Sequence, residues 1–251
     1  MDVELKVDEQ GRGRPMLVLH GGGGPVTVAG LAAHLAQSAH VLTPTHPGWN
    51  GTPRPEWLSG IDDLAMLYLR LLRARGLRDV TVVGSSMGGW IALEMAVRDL
   101  GGLIGRLVIV DGVGVEIAGE PGADFFSLTP RGVAEHAYHE PDKFFVDPAT
   151  LPPAIAATMR GNMVTMKAVA GTAMADPKLL RRLGDVDVPA LVLWGESDRI
   201  QTPAYGRALA KALPNSRFEL IEKAGHLPQL ERPEATFAAI DKFVGLPVAA
   251  E

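Results

Sequence analysis

Residues 84–89 read Gly84-Ser85-Ser86-Met87-Gly88-Gly89, and their flanks leave few ways to fold them. Before them, Asp79-Val80-Thr81-Val82-Val83 is a short β-branched apolar run of the kind that forms a buried strand. After them, Trp90 to Val97 is rich in helix formers spaced to bury one face. A strand that passes directly into a helix must turn sharply, and Gly84 and Gly88 leave room for the two to approach around Ser86. Ser86 is then expected to project its hydroxyl above the sheet, at the positive end of a helix. A Gly/Ser turn between two core elements would satisfy the same local pattern. The wider chain has to decide between the two.

Other elements follow the same rhythm. Met16–Leu19 is an expected strand running into His20-Gly21-Gly22-Gly23-Gly24-Pro25, where four glycines let backbone amides face a cavity with no Cβ in the way. No lysine follows, and the spacing fits neither G-x-G-x-x-G nor a P-loop, so a phosphate cradle is disfavoured. Val3, Leu5 and Val7 alternate with charges and suggest an edge strand, with Gln10–Pro15 as a turn. Helices are expected at 27–37, 61–75, 203–212 and 234–244, and further strands at 41–43, 107–111, 188–194 and 218–221. Strands alternating with helices imply an α/β fold, with a mostly parallel sheet covered by helices on both faces. The alternation breaks between Gly112 and Asp187, where helical pieces are expected near 130–139 and 152–175. Such a length is too great for a structureless connection. The expected organisation is a core of residues 1–111 and 188–251, with 112–187 a helical cap inserted over one end of the sheet.

Composition narrows the function classes. The 251 residues are 47% hydrophobic and 21% charged, with a net charge of −5. That balance, without a basic run, argues against a nucleic-acid partner. The absence of cysteine excludes disulfides and thiolate metal sites. No apolar run approaches the ~20 residues that span a bilayer, and the acidic, alternating start is unlike a signal peptide. These features suggest a cytoplasmic protein. Oligomeric state is left open.

Asp198 follows one expected strand and His226 the next, so parallel neighbours would deliver both to the sheet edge that carries Ser86. With Gly195-Glu196-Ser197-Asp198 and Gly225-His226 added to the two glycine motifs, the chain from His20 to Val244 resembles the α/β-hydrolase fold family, in its cap-bearing branch of esterases and carbon–carbon bond hydrolases. One departure is Thr45-His46-Pro47-Gly48-Trp49-Asn50, where the family usually has D-x-P-G-x-G; another is an apparently missing N-terminal strand.

The resemblance implies a catalytic triad of Ser86, Asp198 and His226, with the N–H groups of Met87 and Gly22, or Gly23 in its place, forming an oxyanion hole. It implies no cofactor and no metal. The expected substrate is a small-molecule, largely apolar carboxylic ester. Cleavage of carbon–carbon bonds in ring-cleavage products by the same residues is the alternative, followed by a non-catalytic ligand-binding protein. Asp111 also ends a strand and competes with Asp198 for the role of acid. His20 is expected to prop the glycine loop, and His34, His40 and His46 to lie on the surface or in loops. His136 and His139 suggest a solvated helix face rather than a metal site. Trp49, Trp90 and Trp194 are expected in the core or a pocket wall. Met159, Met163 and Met166 share a helical face, read as core or as pocket lining.

Overall fold

A computed structural model of the protein describes residues 3–246. Seven strands form one sheet in the order β1-β3-β2-β4-β5-β8-β9. They are β1 (Val7–Gly11), β2 (Pro15–Leu19), β3 (His40–Pro44), β4 (Val80–Ser85), β5 (Ile104–Val110), β8 (Ala190–Gly195) and β9 (Ser216–Ile221). Only β1 runs antiparallel to its neighbour. The first strand therefore starts where the alternating segment 3–7 ends and occupies part of the expected turn. Its register against β3, Val7 opposite Pro44 through Gly11 opposite His40, explains the shift. Pairing with the long edge of β3 outweighs the local preference of Gln10 and Gly11 for a turn.

Period-two alternation sorts the strands' side chains onto two faces. Leu17, Leu19, Val82, Leu107, Ile109 and Val192 pack on one side with α2 (Ile61–Ala74), α3 (Met87–Ala96) and α8 (Pro203–Ala212). Met16, Val18, Val83, Val108, Val110 and Leu193 pack on the other with α1 (Ala29–Leu35) and α9 (Pro233–Val244). Truncating one of these wholly buried side chains to alanine costs about 2–5 kcal/mol. The fold is the α/β hydrolase fold, in which the loops at the carboxyl ends of the parallel strands share one edge.

Residues between β5 and β8 add no strand to this sheet. They form α4 (Pro130–Ala137), α5 (Pro141–Phe144), α6 (Pro153–Ala170) and α7 (Leu179–Arg182), with a two-residue parallel pair, β6 (Gly114–Val115) and β7 (Ala175–Asp176). The long helix stops five residues short of the expected 175 because Gly171 takes a positive φ of 67°. The shorter α4 stops at Ala137, where Tyr138 is extended and the chain turns its backbone toward the sheet edge. Among the described residues, no helix is long and apolar enough to cross a membrane.

Candidate active site

Ser86 stands between β4 and α3 with φ 56° and ψ −120°, a left-handed conformation forced by the sharp turn. The glycines around it are steric necessities. A Cβ on Gly84 would lie 2.2 Å from Gly88 O, and one on Gly88 would lie 2.2 Å from Leu19 O. Any side chain at either position would push the helix off the strand. With the turn intact, Ser86 Oγ sits 2.9 Å from His226 Nε2, and His226 Nδ1 sits 2.8 Å from Asp198 Oδ2. Asp198 and His226 arrive on the loops after β8 and β9, which are parallel neighbours. Asp198 Oδ1 accepts from the N–H groups of Ile200 at 2.8 Å and Gln201 at 3.3 Å, so the acid has a fixed orientation. Asp198 and His226 are 2% and 6% exposed, and the serine is only partly covered.

Asp111, the competing acid, emerges from β5 beside β8 but does not bond the imidazole. Its Oδ1 accepts from Gly195 N at 2.8 Å. Burial, with the negative charges of Asp198 and Glu231, pushes its carboxyl well above the usual range.

The glycine loop after β2 lies against the serine; a Cβ on Gly21 would come 2.9 Å from Ser86 Cβ. Its shape is set by partners that sequence reasoning only partly foresaw. His20 Nδ1–H donates to Gly21 O at 2.7 Å, and Trp49 Nε1–H donates to Gly22 O at 3.0 Å, fixing the Gly22–Gly23 peptide plane. His46, expected at the surface or in an open loop, is wholly buried. Its N–H donates to His20 Nε2, its Nε2–H donates to His20 O, and Tyr68 OH donates to its Nδ1. Both imidazoles are thus neutral tautomers with every ring nitrogen satisfied. Burial lowers His46 to about 4 and His20 well below its ordinary value.

The methionine face divides. Met166 is 2% exposed, and its Sδ would lie 2.1 Å from a Cβ on Gly22. Met159 and Met163 are 45% and 39% exposed, so neither is core. The stripe is split because α6 rests on its Asn162/Thr165/Met166/Val169 side. Thr165 Oγ1 donates to Gly48 O, and Asn162 pairs with Asn50 through two hydrogen bonds of 2.8 and 3.0 Å. Two polar residues interrupting an apolar helix were the signal that could have located this face.

A second contact between the inserted segment and the site was not legible in the sequence. His226 N donates to Ala137 O, Arg199 N donates to His136 O, and His139 Nδ1 lies 2.7 Å from Ser197 Oγ. His136 Nδ1 instead faces Gly132 O, so the two histidines serve different partners. The buried Glu231 carboxylate accepts from the N–H groups of Gly225, His139 and Glu140, binding the histidine loop to the turn after α4. Ser85, beside the serine, is buried and holds Gln229 Nε2 at 3.1 Å.

The sequence resembles proteins of known activity over nearly its whole length. A 2-hydroxy-6-oxononadienedioate/2-hydroxy-6-oxononatrienedioate hydrolase of Pseudomonas putida is 26% identical over 93% of this chain and 89% of its own. Lipase 1 of Psychrobacter immobilis is 26% identical over 89% of this chain and 74% of its own. Among solved structures, a meta-cleavage product hydrolase from Pseudomonas fluorescens superposes with a TM-score of 0.76 at 16% identity, covering 96% of this chain and 94% of that one. The sequence pattern of the Alpha/beta hydrolase family matches residues 16–240. By that match, and by the sheet that brings its motifs to one edge, the chain belongs to the alpha/beta hydrolase family and is a hydrolase.

Proposed function

We propose that the protein is a serine hydrolase that cleaves small to medium, largely apolar carboxylic esters through an acyl-enzyme on Ser86. The observation that carries this is the linked pair of hydrogen bonds, Ser86 Oγ to His226 Nε2 and His226 Nδ1 to Asp198. A serine hydroxyl is a weak nucleophile at neutral pH. With Nδ1–H committed to Asp198, the Nε2 lone pair of His226 takes the hydroxyl proton as Oγ attacks the ester carbonyl. The imidazolium that forms is stabilised by Asp198 and then protonates the departing alkoxide. Water, deprotonated by the same imidazole, releases the acid. The tetrahedral oxyanion is held by the N–H of Met87, at the start of α3, and by that of Gly22, with Gly23 as the alternative donor. Residues 112–187 act as the cap that shields this chemistry and supplies the substrate wall.

The surroundings favour a neutral group. Val113 N donates to Ser86 O, and Val113 also lines a cavity of about 70 Å³ with Phe125, Thr172, Met174, Ile200 and Gln201. None of its lining residues is ionisable, so a carboxylate placed there would be desolvated without a counter-charge. Carbon–carbon bond cleavage is nevertheless the second reading, because the Pseudomonas putida relative is named a 2-hydroxy-6-oxononadienedioate hydrolase and the Pseudomonas fluorescens structure a meta-cleavage product hydrolase.

A panel of nitrophenyl esters, lactones and vinylogous diketones, run with and without a fluorophosphonate, separates these. Stoichiometric labelling of Ser86 with preferred turnover of esters is the expected result. Ser86→Ala should lose the label and at least about ten-thousand-fold in kcat. Labelling of Ser85, or full activity in the variant, would overturn the assignment. Preferred turnover of the diketone would move the protein to the second class.

A further inference from the structure

The mechanism above leaves one buried acid at the site without a task. Asp111 is 0% exposed and sits just after β5 in a left-handed conformation, φ 45°. Its Oδ1 is used by Gly195 N, whereas its Oδ2, as a carboxylate oxygen, has no hydrogen-bond partner. A carboxylate oxygen of Asp111, one of Asp198 and a ring nitrogen of His226 lie within 4.8 Å of one another. Two carboxylates that close, both shut away from water, cannot both be ionised.

The hydrogen bonds decide which one holds the proton. Asp198 receives three donors: His226 Nδ1–H, Ile200 N–H and Gln201 N–H. Glu231, the third acid facing the cluster, receives the N–H groups of Gly225, His139 and Glu140. Asp111 receives one. Donors stabilise the ionised form, so Asp198 and Glu231 keep their charge and their field drives the proton onto Asp111. On Oδ2 the proton also removes the orphaned acceptor, since a protonated carboxyl becomes a donor there.

Resting on the triad proposed above, we infer that Asp111 is a neutral carboxylic acid whose Oδ2–H donates to the Asp198 carboxylate, making it a positioning residue that limits the basicity of His226. The hydrogen bond withdraws charge from Asp198. An imidazole facing a less negative partner stays unprotonated to lower pH, where it can still act as a base. Asparagine is close to a protonated aspartate in shape: its oxygen can accept from Gly195 N and its NH2 can donate to Asp198. Alanine provides neither.

The test is the pH profile of kcat/KM for a nitrophenyl ester in wild type, Asp111→Ala and Asp111→Asn. The acid limb should move up by about one pH unit in the alanine variant, with kcat lower by about tenfold from loss of a bond to a charged group. Asp111→Asn should return the limb toward wild type and recover most of kcat. An ionised Asp111 predicts the opposite sign, because removing its charge would lower the limb in both variants. A merely structural residue predicts a lower Tm with no movement of the limb. Either result overturns the inference. A second readout needs no turnover and no stable alanine variant. The carboxyl carbon of Asp111, labelled with 13C and assigned by its loss in Asp111→Asn, should show the shift of a protonated acid at pH 7. An ionised shift would refute the inference. Failure of the fluorophosphonate to label Ser86 would instead strike at the triad, leaving the carbon shift to report on Asp111 alone.

Discussion

The edge of the sheet and residues 112–187, between β5 and β8, are built in opposite ways. At the edge, Ser86, Asp111, Asp198 and His226 sit on loops after β4, β5, β8 and β9, and the main-chain N–H of each donates to a backbone carbonyl. Residues 112–187 leave Val146, Ile155, Met159, Met163 and Val164 exposed. They are held to the rest of the molecule by Val115, Met166, Val169, Leu179 and Leu183, which belong to the buried core, and by polar contacts that include Asn162 with Asn50, Thr165 with Gly48, Arg182 with Glu94, and the turn after α4 with Glu231 and His226. Loops anchored by backbone geometry hold reacting atoms in place; within residues 112–187 the stretches that join the core are fixed by burial, and the exposed stretch around Val146 and Ile155 opens at the smallest cost. The two are not independent, because the N–H of His226 itself rests on Ala137 O.

The comparison breaks most sharply at Asp198. Asp198→Asn should leave the fold intact and lower kcat by about ten-thousand-fold, because the imidazole would adopt the wrong tautomer. Circular dichroism and ester kinetics check this together. If Asp111→Asn proved the more damaging of the two, the acid's role would belong to Asp111.

A smaller effect tests the buried scaffold behind the glycine loop. His46 is held near 4, below its ordinary 6.5, because burial penalises the charged form. The unfolded chain therefore binds a proton between these values that the folded chain does not. This contribution to stability is complete above pH 6.5 and is lost as pH falls toward 4, up to about 3 kcal/mol. Asp111 runs the other way: its raised carboxyl favours the folded state at low pH and costs stability as pH rises above the unfolded value. The two are separated by difference. Relative to wild type, His46→Gln should be less stable at pH 7 in urea melts, and the gap should narrow on going to pH 5. A gap that stays constant would mean that His46 does not titrate differently on folding.

The smallest effect sharpens the division within α6. Met166, against Gly22, should set acyl preference, so Met166→Ala should change the kcat/KM ratio of long to short esters by about 1–3 kcal/mol. Met163→Ala, on the exposed side, should change that ratio by far less. Equal effects from both would show that the substrate reaches the outer face, and no effect from either would leave Met166 as packing alone.

Residues close in sequence largely determined the local chemistry. The strand–turn–helix around Ser86, the glycine run after His20 and the strand-end positions of Asp198 and His226 are short-range patterns, written in β-branched runs and in glycines that a Cβ would make impossible. The order of those elements was enough to indicate an α/β fold whose parallel strands send their carboxyl ends to one edge, and the resemblance of the motifs at those ends to the α/β-hydrolase family implied the hydrolase. Tertiary structure decided what depends on meetings between distant residues. The strand register moved β1 to 7–11, and the burial of His46 follows from Tyr68 and His20 closing around it. The inward face of α6 was selected by Asn50 and Gly48, 112 and 117 positions from their partners. Asp198 rather than Asp111 reached the imidazole because β9 lies beside β8. Periodicity reports which face of an element is apolar, but pairing partners for polar groups are found only when the chain has closed, and those partners decide which face turns inward and which acid carries the charge.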